Sequence, residues 1–97
     1  MATFIATVKY TPQGVTNMQD TCKRAAAFKA AARKMGVKIT DQFWTLGPFD
    51  GLMVFEAPDE ETATALMLHL GSLGNVQTQT ARAFTAAEME KIVAAAR

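Results

Sequence analysis

Val37-Lys-Ile-Thr-Asp-Gln-Phe-Trp-Thr-Leu-Gly-Pro-Phe-Asp-Gly-Leu-Met-Val-Phe-Glu-Ala57 is the stretch that decides the fold. Two runs rich in β-branched and aromatic residues, about Val37 to Leu46 and about Gly51 to Ala57, flank Gly47-Pro-Phe-Asp-Gly51. That linker has the composition of a turn, so the whole stretch predicts an antiparallel hairpin. On its C-terminal side, Pro58-Asp-Glu-Glu61 has the form of a helix start, with Asp59 as cap and acidic residues at the positive end of the dipole. Ala63, Leu66, Met67 and Leu70 follow at helical spacing as a buried stripe, and Gly71 and Gly74 close the helix.

On the N-terminal side the pattern repeats. A first strand is expected over about Thr3 to Lys9, ended by Tyr10-Thr-Pro-Gln-Gly14. Thr16-Asn-Met-Gln19 reads as a capping box opening an alanine-rich helix from about Asn17 to Met35. Thr21, Ala25, Phe28, Ala32 and Met35 lie on one of its faces, and Gly36 stops it. A fourth strand is expected over about Asn75 to Phe84. Thr85-Ala-Ala-Glu88 is a second capping box, leading a last helix that buries Met89, Ile92, Val93 and Ala96. The order is βαββαβ and then α: an α+β, ferredoxin-like plan with a four-stranded antiparallel sheet and two helices on one face. The sheet's other face then needs a cover, from the last helix or from a second subunit.

Composition narrows the functional classes. The chain has 97 residues with 49% hydrophobic and 20% charged, the mix of one globular domain. A formal net charge of +1 gives no electrostatic footprint for nucleic acid or an anionic membrane. No apolar run reaches the roughly 18 residues of a membrane span, and the first residues lack the form of a signal peptide. One cysteine, Cys22, and one histidine, His69, permit neither an internal disulfide nor a clustered metal site. No metal and no cofactor are expected, and the reducing cytoplasm is the default compartment.

Several segments carry a resemblance: Tyr10-Thr-Pro-Gln-Gly-Val15, Phe43-Trp-Thr-Leu-Gly47 with Pro48-Phe49-Asp50, and Leu70-Gly-Ser-Leu-Gly-Asn-Val76 followed by Thr78, Thr80 and Arg82-Ala-Phe84. Over nearly the whole chain this pattern resembles the GYD domain family of small bacterial proteins. Gly47, Phe49 and Asp50 match the motif that names it, with Phe49 in place of the usual tyrosine and therefore without its phenolic hydroxyl. The resemblance implies a ferredoxin-like fold similar to the dimeric α/β-barrel proteins, and homo-oligomers. In that architecture two sheets face each other around a pocket. Some of its members are small monooxygenases or isomerases, some only bind ligands, and some hold haem through a helical histidine.

The candidate ligand-binding residues are Lys9, Tyr10, Gln42, Trp44, Asp50, His69 and Arg82. Strand alternation puts Gln42, Trp44 and Leu46 on one face and Ile39, Asp41, Phe43 and Thr45 on the other. Trp44 then either lines a pocket with Gln42 or packs at a subunit interface. Asp50 is a base or cation ligand on one reading, and an acceptor of backbone N–H groups in its turn on the other. Gly47 and Gly51 supply φ freedom to the hairpin, with Phe49 between them in the structural turn. His69 is a general base, an axial haem ligand or an ordinary surface histidine. Cys22, beside Lys23 and Arg24, is a reactive thiol or a small flank residue. Lys9, Tyr10 and Arg82, the last in line with Thr78 and Thr80, either hold an anion over the open sheet or pair with acidic groups across an interface.

Three functions follow: an oligomeric module holding a small organic molecule between sheets, an assembly module with no such ligand, and a cofactor-independent barrel-type enzyme. Binding and assembly outweigh catalysis, because no acid, base and nucleophile come together in the sequence.

Overall fold

The computed structural model describes residues 1–97. Its strands are β1 (Ala2–Tyr10), β2 (Lys38–Trp44), β3 (Gly51–Ala57) and β4 (Val76–Ala83), and its helices are α1 (Pro12–Thr16), α2 (Thr21–Lys34), α3 (Glu60–Ser72) and α4 (Ala86–Ala95). The sheet order is β2-β3-β1-β4, with every neighbouring pair antiparallel. This is the expected βαββαβ plan with a helix added at the C-terminus.

The register explains the core. Phe4 lies opposite Phe55 and Ala6 opposite Met53, so one face of the two central strands is wholly apolar. The Phe4 and Phe55 rings stack with centroids 5.4 Å apart, a cross-strand pair at the middle of the sheet. Phe28 and Ala32 of α2 and Ala63 and Leu66 of α3 close over this face, with Val37 and Ile39 completing the buried cluster. The α3 cap is as expected: the Asp59 carboxylate accepts the Thr62 N–H at 2.7 Å. Met67 and Leu70 of its stripe are half-buried, Gly71 lies inside the helix, and Gly74 (φ +81°) ends it.

The segment after β1 differs from the expectation. Thr16 does not cap a helix starting at Asn17. Pro12 and the Thr11 side chain, which accepts the Gly14 N–H, start a short helix at once, and Thr16 is its last residue. A 3-10 turn over Met18–Asp20 then redirects the chain, and α2 begins only at Thr21. Gly14 is needed here: a Cβ on it would stand 2.0 Å from the Asn75 carbonyl oxygen. Thr11 N–H donates to that same oxygen at 3.1 Å, and the Gln13 amide donates to Leu73 O at 3.1 Å. The loop after β1 and the loop before β4 are thereby tied together.

A β-bulge between Ile39 and Asp41 corrects the assignment of faces on β2. Ile39 pairs with Phe55 and Gln42 with Met53, so Ile39, Gln42 and Trp44 share the helix-covered face. One extra residue shifts the alternation by one step. Gly51 is corrected too. Its φ is not positive; it is a glycine because a Cβ would sit 3.1 Å from the Phe43 carbonyl oxygen. Gly47, at φ +139°, does use glycine's freedom.

The last helix has the predicted capping box, with Thr85 and Glu88 bonded reciprocally. It does not bury Met89, Ile92, Val93 or Ala96 within this chain: every residue from Met89 to Arg97 is exposed. α4 leaves the open face of the sheet uncovered. The Cα radius of gyration is 14.6 Å, against about 12.5 Å for a compact chain of this length. No helix is long and apolar enough to cross a membrane.

Candidate functional site

A cavity of about 210 Å³ lies on the helix-covered side of the sheet, between α2, the last turn of α3, and the ends of β1, β2 and β3. It exists because α2 presents alanines where larger side chains would have filled the space. Ala25, Ala27 and Ala31 line it from above and Gly51 from below. Most of the lining is apolar, with Val8 and Met53 of the sheet at its base and Phe28 of α2 beside the alanines.

Tyr10, Gln42, Trp44, Asp50 and His69, five of the candidate residues, line this one cavity. The Tyr10 hydroxyl and the Thr21 hydroxyl are 2.7 Å apart, and the Trp44 indole N–H donates to the same Thr21 oxygen at 3.2 Å. Trp44 is half-exposed at the cavity mouth. An Asp50 carboxylate oxygen accepts the Tyr10 backbone N–H at 2.9 Å, and its own N–H donates to Val8 O at 2.8 Å. The Asp50 carboxylate thus joins the hairpin turn to β1, while its backbone carbonyl accepts the Thr45 N–H within the turn at 3.0 Å. His69 is exposed at the cavity edge, in the last turn of α3. A space of about 210 Å³ lies below the roughly 300–1,000 Å³ of drug-sized sites and does not admit a porphyrin. The cavity lies under the helices and not on the open face, where two sheets would meet.

Lys9 and Arg82 lie elsewhere, and on opposite faces. Lys9 is on the open face, its Nζ 3.4 Å from Pro48 O. Arg82 pairs in register with Phe4, which puts it on the helix side and not over the open sheet. It covers the Phe4 and Phe84 rings at 5.6 and 4.5 Å, donates to Thr3 O and Ala83 O, and reaches Glu88 at 3.7 Å. Its role is to fasten the start of α4 to the end of β4. Hydrogen bonds from Thr85, with Arg82 nearby, hold the Glu88 carboxyl below its ordinary value; hydrogen bonds from Thr62 do the same for Asp59. Cys22 is exposed near the start of α2. No group of three His, Cys, Asp or Glu side chains is placed to hold a metal.

The residue that sequence reasoning misses is Arg24. It lines the cavity, one Nη donates to Asn17 O, and the other Nη is buried without a partner. The sequence does carry a signal: Arg24 is three residues after Thr21 and four before Phe28, on the inner face of α2.

The second surface is the open face of the sheet. Ile5 pairs with Val54 and Ala81, and Leu52 with Phe43 and Thr7, so an apolar centre is ringed by Thr, Gln and Lys side chains together with Asp41 and Glu56. Phe43 is 54% exposed on this face. Beyond its edge, Phe84, Met89, Ile92 and Val93 are all at least 40% exposed. Exposed apolar groups gathered in this way mark a surface suited to contact with another chain.

The GYD domain family model matches residues 4–93. The glutamine synthetase and cystathionine beta-lyase binding protein of Thermus thermophilus is 34% identical to this chain over 90 residues, covering 92% of this chain and 95% of that protein. Among solved structures, TTHA0845 from Thermus thermophilus superposes with a TM-score of 0.58 at 20% identity, covering 89% of this chain and 96% of that one. An ACT domain protein from Streptococcus pneumoniae superposes at 0.50 with 18% identity, covering 84% and 89%. At those identities the two structures establish the fold.

Proposed function

The chain belongs to the GYD domain family, and from that premise we propose that it is a self-associating module that binds other proteins. Its contact surface is the open sheet face together with α4. The observation that carries this reading is α4 itself. A capped, ordered helix presents Met89, Ile92 and Val93 to solvent at 47%, 40% and 50% exposure, and nothing in its own chain covers them. Amphipathic helices are ordered chiefly by burying their apolar stripe, so this stripe is built for a second chain. A second copy covers the open face, and an enzyme partner docks on the assembled surface. The Thermus thermophilus relative is named for binding glutamine synthetase and cystathionine beta-lyase, and partners of that kind are the ones we assign.

A barrel-type enzyme has less behind it. Tyr10, Trp44 and Asp50 are engaged with Thr21 and with the β1 backbone, contacts that hold the fold together. The test is direct binding of purified glutamine synthetase and cystathionine β-lyase to the immobilised chain. Saturable binding of either one, lost when Ile92 and Val93 are both changed to Asp, is expected. Binding of neither, or equal binding by that variant, contradicts the assignment.

A further inference from the structure

The cavity under α2 has a chemistry that protein binding does not use. Its lining is mostly apolar, yet it contains a guanidinium with one buried Nη and no acceptor for it. A buried donor left unmade is costly, and more so when it is charged. Glu and Asp side chains do not neutralise it: Arg82–Glu88 is the ion pair of the fold, and Asp50, though it lines the same cavity, forms none with Arg24. A second donor is close at hand. The Tyr10 and Thr21 hydroxyls carry two protons, and one of these serves the bond between them. The Thr21 oxygen already accepts the Trp44 N–H, so whichever way that bond runs, one hydroxyl proton is free for the cavity.

We propose that this cavity binds a small organic carboxylate with an apolar body. The carboxylate takes the free Nη of Arg24 and the remaining hydroxyl proton of the Tyr10–Thr21 pair. The body lies against Phe28, Met53 and the alanines of α2. Size limits the ligand. An apolar cavity of about 150 Å³ holds benzene, so about 210 Å³ holds a single ring or a short branched chain with its carboxylate. A phosphate ester fits less well, because one guanidinium and one hydroxyl leave most of its oxygens unpaired in an apolar space.

Trp44, the only tryptophan, stands at the mouth and reports occupancy by its emission. The probes are benzoate, the uncharged benzamide and the cationic benzylamine. Benzoate is expected to give a saturable change, with benzamide weaker by about ten- to a hundredfold, the worth of a charge-assisted hydrogen bond. Arg24→Gln is expected to bring benzoate down to the level of benzamide. Ala31→Leu, which keeps Arg24 and fills the space, is expected to abolish the response to both. Unchanged far-UV circular dichroism checks that each variant is folded. No saturable response to benzoate overturns the proposal, as does equal binding of benzoate and benzamide or full binding by either variant. Tighter binding of benzylamine than of benzoate also overturns it and transfers the site to Asp50.

Discussion

Changing Ile92 and Val93 together to alanine is expected to weaken self-association about a thousandfold. Complete burial of such a side chain is worth about 1.5–3 kcal/mol. Ile92 and Val93 are still 40% and 50% exposed in the single chain, so about 1 kcal/mol each remains to be gained at an interface. In a two-fold dimer every change is made on both copies, which brings the loss to about 4 kcal/mol, close to three decades in Kd. Alanine is the best helix former, so α4 itself stays helical and the effect belongs to the interface. Sedimentation equilibrium at several loading concentrations gives the two constants, and far-UV circular dichroism confirms equal helix content. Dissociation constants within threefold of each other would refute the reasoning, since the stripe would then face solvent in the assembly as well.

Gly14→Ala is expected to destabilise the fold by about 1–3 kcal/mol, the range for overpacking, because its Cβ would press on the Asn75 backbone at 2.0 Å; an unchanged Tm would show that the loop gives way freely. The caps predict the acid behaviour. Asp59 and Glu88 are held below their ordinary values in the folded chain, so the unfolded chain binds more protons there. Their contribution is complete above the ordinary carboxylate range and is lost as pH falls through each folded value. Thermal melts between neutral and acid pH are expected to show a shallower acid limb for Asp59→Ala than for the unaltered chain, and parallel limbs would contradict the assignment.

What the sequence makes legible is local. Gly51–Ala57 alternates in a single strand with no bulge, and both of its ends fall where the sequence reading puts them. Asp59 and the Thr85–Glu88 box are caps recognisable from four residues each. The losses have physical causes of longer range. The bulge beside Thr40 leaves no mark in composition, yet it turns Ile39 onto the face of Trp44. Pro12 reads as a turn residue, and only the Asn75 carbonyl above Gly14 shows how tightly its short helix is seated. Arg82 looks like a free strand-end cation until the register sets it over Phe4. The apolar spacing of α4 marks a stripe to be buried, but periodicity does not say in which chain. Tyr10, Gln42, Trp44, Asp50 and His69 stand apart in the sequence, and the fold brings them to one cavity. Arg24 escapes notice because an arginine among alanines reads as solvent-facing, whereas the crossing of α2 over β2 turns it inward.

Light scattering on the unaltered chain over a wide range of concentrations tests the central claim most directly. Self-association predicts a species of twice the 10.5 kDa of one chain, or a higher multiple, persisting into the low micromolar range. A mass of 10.5 kDa at every concentration would contradict it, because the open sheet face and α4 would then meet only water.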